Sequence, residues 1–295
     1  MTIVIAGAAG YLGRLTISSL LERGVEPRSI VAAVRSPARA SDLAARGVQV
    51  RYADYDRPET VDEALAGARR VLLISGTAVG RRVPQHKTVI DAAAKAGAEL
   101  ITYVGLLHAT DSPLAIATEH RETEEVLRHS PVPYSVLRNG WYWENYLRSG
   151  WNWWDPSGTL ADFMMERGVL IGAAGDGLLA AASRADYAAA AAAVLTGSGH
   201  ENTVYSLGGD ERITLSELAA IYGEVFGRDF VYRDLTRADF KAALLEAGVA
   251  EQVAEHLADS DDGISKGALD TDSGDLRRLL GRPSTPVRTV LARER

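Results

Sequence analysis

Three features of the chain predict a doubly wound α/β fold with a smaller α+β domain on its C-terminal half. Strand and helix patterns alternate through the first half, a glycine-spaced loop joins the first strand to the first helix, and 295 residues exceed one typical domain. The expected boundary divides residues 1–147 from residues 148–295, with some elements of the second part packing back on the first.

The elements follow in order. "TIVIAG" is the short β-branched apolar run of a strand covered on both faces. "YLGRLTISSLLERG" places Leu12, Leu15, Ile17, Leu20 and Leu21 on one helical face and stops at Gly24. Strands then read as "SIVAAVR", "VQVRYAD", "RVLLIS", "ELITYVG" and "YSVLRN". Between them lie the helices "SDLAARG", "TVDEALAGA", "QHKTVIDAAAKAG" and "IATEHRETEEVLRHS". The second half adds the helix "SGTLADFMMERG", an alanine-rich helix "SRADYAAAAAAVLTG" suited to close packing, and the strand "TVYSLGG". There follow a helix "TLSELAAIYGEVFG" capped by Thr214, the strand "FVYRDL", two helices "RADFKAALLEAG" and "AEQVAEHLAD", and a loop "SDDGISKGALDTD". No repeat or linker is visible, so the smaller domain should pack tightly, leaving a shared cleft.

Composition excludes several classes. With no cysteine, disulfides, thiolate metal sites and a cysteine nucleophile are ruled out. A formal net charge of −7 argues against nucleic acid as the main partner. The alanine-rich run at 187–195 is too short to span a bilayer and the N-terminus lacks a signal-peptide pattern, so a cytoplasmic protein without membrane partners is expected.

"GAAGYLG" sets Gly7, Gly10 and Gly13 between strand and helix, where the amides of Ala9, Tyr11 and Leu12 and the helix N-terminus can meet a pyrophosphate. The dinucleotide is expected to be NADPH. An acid at the end of the second strand would hold the ribose hydroxyls of NADH, but Arg35 and Ser36 stand there, with Arg39 close behind. Asp54, ending the third strand, is placed to accept from the adenine amine, and Ser75, Gly76 and Thr77 end the fourth where ribose and nicotinamide would pass.

No reactive triad accompanies this site. A tyrosine–lysine pair at YxxxK spacing is absent: Leu107 follows Tyr103 at that distance, Arg138 follows Tyr134 and Tyr146 follows Tyr142. There is no GxSxG elbow. His120 and Glu124, one helical turn apart, lack a third metal ligand, and "DSDDG" at 259–263 fails the spacing of a calcium loop. No metal site is expected. Hydride transfer from a nicotinamide to a flat acceptor such as a quinone needs no strong protein acid if the two rings are held face to face.

The motifs "GAAGYLG", "VAAVRSPARA", "VRYADYD", "VGRRVPQHKTVIDAAAKAG", "LLHATDSPL", "EHRETE", "YSVLRNGWYWENY", "GAAGDG", "SRADYAAA" and "DSDDGISKGAL" occur in one order along almost the whole chain. They resemble the NmrA-like branch of the atypical short-chain dehydrogenase/reductases, and within it the bacterial NADPH:quinone oxidoreductases of the QOR2 type. The resemblance implies a Rossmann-like first domain, NADP(H) bound without flavin, and Asn139, Gly140, Trp141 and Tyr142 beside the nicotinamide. His120 looks to occupy the helix position that holds a lysine in isoflavone-reductase-like relatives, which makes it a proton donor or a plain exposed histidine; Tyr142 is the other candidate. Two departures stand out: Ala6 replaces a frequent threonine, and "RSGWNWWDPSGTLADFMM" lengthens a segment that is short in the family.

All five tryptophans lie between residues 139 and 154. Trp143, Trp151, Trp153 and Trp154 are expected to form an aromatic wall or lid over a small aromatic or quinone-like substrate, with a homodimer contact and plain packing as the rivals. The expected activity is a flavin-free NADPH-dependent quinone reductase. Two alternatives stay open: a biosynthetic ketone, enone or imine reductase, and a non-catalytic NADP(H) sensor with a protein partner.

Overall fold

The computed structural model describes residues 1–76, 78–147 and 159–294. A parallel seven-stranded sheet organises it, in the order β3 (Gln49–Tyr52), β2 (Ile30–Val34), β1 (Ile3–Ala6), β4 (Arg70–Ile74), β5 (Leu100–Leu106), β6 (Tyr134–Asn139), β8 (Thr203–Leu207). β1 pairs with β2 on one side and with β4 on the other, Ile3 lying opposite both Ile30 and Arg70. The strand order therefore reverses at β1, which opens a crevice at the carboxyl ends of β1 and β4.

The central strands β1, β2 and β5 are buried on both faces, as their unbroken apolar runs require. Helices α1 (Tyr11–Glu22), α2 (Ser41–Ala45) and α7 (Arg184–Thr196) cover one face; α3 (Pro58–Leu65), α4 (Arg82–Lys95) and α5 (Ala117–Arg128) cover the other. Alanines of α7 let it lie directly against α1 and the sheet. Both α7 and β8 come from the second half of the chain, as does α11 (Asp275–Leu280), whose Leu276 is buried in the same cluster. The chain leaves the large sheet at the end of β6, Asn139, and these three elements of the second half pack back on it.

A second core gathers the short parallel pair β7 (Val169–Gly172) and β9 (Val231–Asp234) with α6 (Thr159–Arg167), α8 (Leu215–Phe226), α9 (Arg237–Glu246), α10 (Glu251–Ser265) and α12 (Val287–Leu291). Thr214 begins α8 with a reciprocal capping box to Glu217, as the sequence implies. One boundary differs from expectation: "SDDGIS" is the last part of α10, not a loop. Its Ser260, Asp261, Gly263 and Ile264 are buried, and a Cβ at Gly263 would lie 2.2 Å from Leu114 Cδ2, so tertiary packing overrides weak helix propensity. No helix among the described residues is long and apolar enough to cross a membrane.

Candidate active site at the carboxyl ends of the strands

The glycine loop has a steric reason at each end. Gly7 has φ +91°, and a Cβ there would meet Ile74 Cβ at 3.2 Å; one at Gly13 would lie 2.6 Å from the Gly7 carbonyl oxygen and 2.7 Å from Ala8 Cα. Between them Gly10 donates its N–H to the Gly7 carbonyl (3.1 Å) and starts α1, leaving the first amides of the helix open to an anion. Leu12 is buried, whereas the Tyr11 ring is 70% exposed at the rim. Arg14, which sequence reasoning passed over, donates to the Ala9 carbonyl (3.1 Å), to the Arg39 carbonyl and to Asp42, so it ties this loop to the turn after β2.

In that turn Arg35, Ser36 and Arg39 are all exposed at the carboxyl end of β2, and Asp42, which follows it, is already paired with Arg14. The turn therefore presents positive charge and backbone at the place where a ribose phosphate would sit. Asp54 lies just beyond β3, half-buried, its Oδ1 accepting from the Asp56 N–H. Ser75 and Gly76 end β4 beside the glycine loop; Thr77 lies outside the described residues.

Gly76 is held from below by a buried polar chain. Its N–H donates to His86 Nε2 (3.1 Å), so the His86 proton is on Nδ1 and points to Thr123 Oγ1 (2.9 Å), which donates to the Glu119 carbonyl (2.8 Å). Desolvation, reinforced by the Arg82 charge, lowers the His86 pKa to about 4. His120 lies next in the cluster, 4% exposed, with Nδ1 2.7 Å from the Tyr103 hydroxyl. Burial, then Arg82 and His86, lower its pKa to about 3. His120 is thus neither an exposed histidine nor a protonated donor: it is a neutral core group. Glu124, one turn away, chelates Arg138 at 2.7 and 2.9 Å, and no metal-binding cluster exists among the described residues. Arg82 is itself buried, its Nε and Nη1 without a hydrogen-bond partner among the described residues and Glu119 3.9 Å from Nη1; after burial, its charge also lowers the pKa of His256 in α10.

The segment after β6 is a partition. Asn139 is 3% exposed and its Oδ1 has no hydrogen-bond partner among the described residues. Gly140 donates to the Leu207 carbonyl (2.8 Å), with Ala180 and Tyr187 close enough that a Cβ would meet their oxygens at 3.2 Å. Tyr142 faces the glycine-loop side: its ring packs edge-on to Tyr187 and lies 4.8 Å from the Arg184 guanidinium, which also reaches the Tyr11 ring at 5.9 Å. Burial raises the Tyr142 pKa, only partly offset by Asn139 and Arg184, which makes it a poorer acid than free tyrosine. Trp141 faces the opposite way, its ring 6.4 Å from that of His256, lining a cavity in the second core. Trp143 does not join any wall. It is 1% exposed inside that core and offers no face to a substrate, because the 3-10 turn Trp143–Tyr146 folds it inward. Trp151, Trp153 and Trp154 lie outside the described residues. Sequence reasoning also missed Arg184, whose backbone N–H donates to the Glu144 carboxylate at 2.9 Å and so fixes the start of α7 against the partition.

A phosphate-sized cradle at a helix N-terminus, an arginine-bearing turn after β2 and a buried orphan amide oxygen at the end of β6 define a nicotinamide-dinucleotide-binding protein. Residues 7–197 match the NAD(P)H-binding family, and the chain belongs to it, in its NmrA-like branch. The chain is 50% identical over 285 residues to quinone oxidoreductase 2 of Escherichia coli K12, covering 97% of this chain and 96% of that one. Its fold matches the crystal structure of the E. coli NADPH-dependent quinone oxidoreductase QOR2 complexed with NADPH, with TM-score 0.91, 47% identity and 99% of each chain covered. Citrobacter sp. triphenylmethane reductase complexed with NADP(H) is also similar, with TM-score 0.91, 37% identity and the whole of both chains covered.

Proposed function

We propose that the protein is a flavin-free, NADPH-dependent reductase of quinones and similarly flat conjugated acceptors. The observation that supports this reading is the segment at residues 139–146, in which Tyr142 packs with Arg184 toward the glycine loop while its neighbours Trp141 and Tyr146 wall a cavity beside it. Half of the residues are shared with a quinone oxidoreductase, and the Citrobacter relative is by name a triphenylmethane reductase, so both act on aromatic or quinonoid compounds.

Bound NADPH supplies the hydride. The backbone at Gly7, Ala9, Gly10, Tyr11, Leu12 and Gly13 holds the pyrophosphate, Arg35 with Ser36 and Arg39 the ribose phosphate, and Asp54 the adenine. His86 fixes Gly76, and Asn139, Gly140, the Trp141 backbone and Tyr142 orient the nicotinamide end. A cytoplasmic setting, where NADPH is kept reduced, fits this use.

The reading is tested by offering flavin-free protein and NADPH a para-quinone and, separately, an isolated aliphatic ketone. Oxidation of NADPH driven by the quinone and not by the ketone is expected. Turnover of the ketone alone would point to a carbonyl reductase instead.

A further inference from the structure

Two-electron reduction of a quinone needs one proton for each hydride, and neither His120 nor Tyr142 is a suitable source. The cavity beyond the partition holds a better one. It measures about 50 Å³ and is walled by Trp141, Tyr146 and apolar side chains from α6, β7, α8, α9 and α10. Three polar residues line it: Asn145, whose Oδ1 accepts from the Arg184 guanidinium at 2.8 Å, Tyr146 and Asp261. Asp261 of α10 lines it, with Oδ2 accepting from the Ala173 N–H at 2.9 Å and so close to β7 that a Cβ at Gly172 would lie 2.5 Å from it. The Tyr146 hydroxyl is buried and has no hydrogen-bond partner among the described residues. A buried carboxyl without a cation and an unpartnered phenol destabilise a fold, so both are better explained by a ligand.

Resting on the reductase reading above, we propose that this cavity seats the carbonyl edge of the acceptor, that Asp261 is the proton donor and that the Tyr146 hydroxyl holds the same oxygen. The ring gains the electron pair of the hydride, its oxygen takes the Asp261 proton, and the carboxylate is reprotonated from solvent; quinone, hydride and proton together make the hydroquinone. Burial raises the Asp261 pKa to about 7, with the Ala173 amide lowering it and Asp234 raising it. The groups that face it are Asp234 and Tyr232 of β9 and Tyr146 of the partition, with Tyr222 of α8 behind. None of these is cationic.

The experiment measures quinone turnover against pH for the wild type and Asp261→Asn, together with NADPH affinity, melting temperature and the infrared carbonyl band of a protonated carboxyl. A donor must carry its proton, so wild-type activity should fall as pH rises through about 7. In Asp261→Asn that limb and the infrared band should vanish and the rate drop about a hundredfold, NADPH affinity being unchanged. If the variant keeps the wild-type rate and pH limb, the assignment is overturned while the reductase reading stands. A wild type that binds NADPH but reduces no quinone overturns both. Tyr146→Phe provides the check should Asp261→Asn not fold: its KM for the quinone should rise about tenfold with unchanged NADPH affinity, and an unchanged KM would refute the seat.

Discussion

Adding one methyl group to the glycine loop separates what the fold needs from what the cofactor needs. A Cβ at Gly13 would stand 2.6 Å from the Gly7 oxygen and 2.7 Å from Ala8 Cα, both backbone atoms, whereas favourable contacts of this kind lie at about 3.5–4.0 Å. In Gly13→Ala, α1 and the loop must therefore part by roughly 1 Å, which overpacking data place at about 1–3 kcal/mol. That should lower the melting temperature of the cofactor-free protein by several degrees and weaken NADPH by about tenfold or more. Gly10→Ala is the contrast. Gly10 has φ −76° and its nearest neighbour for a Cβ is the Gly7 oxygen at 3.4 Å, so the fold accepts a methyl there. Its cost falls on the approach of the pyrophosphate to the backbone. Differential scanning fluorimetry without cofactor and fluorescence titration with NADPH read the two effects apart. Equal melting temperatures for Gly13→Ala and wild type, or an equal loss of stability in Gly10→Ala, would refute the reasoning.

Arg35→Glu should weaken NADPH by about tenfold or more while leaving NADH affinity unchanged or improved, measured as the ratio of the two dissociation constants. His86 and His120 have folded pKa values of about 4 and 3 against about 6.5 for a free histidine, so the unfolded chain binds more protons as pH falls. Their contribution to stability is complete above about pH 6.5 and declines below it by up to about 1.4 kcal/mol per pH unit for each; melting curves from neutral to mildly acidic pH should be shallower in His120→Gln. Asp261 runs the other way: its folded pKa is raised from 3.8 to about 7, so it costs stability as pH rises through that window, and Asp261→Asn should melt higher than wild type above neutral pH. Trp143→Ala should lose about 3–5 kcal/mol of stability, whereas Trp141→Ala should mainly raise KM for the quinone; steady-state kinetics with parallel melts distinguish them.

The glycine loop and the strand–helix alternation were legible because each depends on local pattern: a turn that admits only glycine, and apolar runs of fixed period. Arg35 was placed by its position after the second strand, and Asn139 by the resemblance of its segment to the family. His120 was misjudged because "EHRETEEVLR" is so polar that it reads as a solvated helix. Its buried face nonetheless runs Ala117, His120, Thr123, Glu124, Leu127, the spacing of a core stripe, and that spacing was the usable signal. Asp261 was hidden for another reason. "DSDDG" has the composition of a loop, and only packing of Gly263 against Leu114 and of Ile264 in the core makes it helix and turns one of its three aspartates inward. Trp141 and Trp143 differ in role because the chain enters a 3-10 turn between them, a feature that composition does not register.

The most direct test of the reductase account is the initial rate of nicotinamide oxidation by flavin-free protein with a para-quinone, measured with NADPH and with NADH. The expected result is quinone-dependent turnover with a higher kcat/KM for NADPH. NADPH binding without turnover, or equal use of the two cofactors, would contradict it.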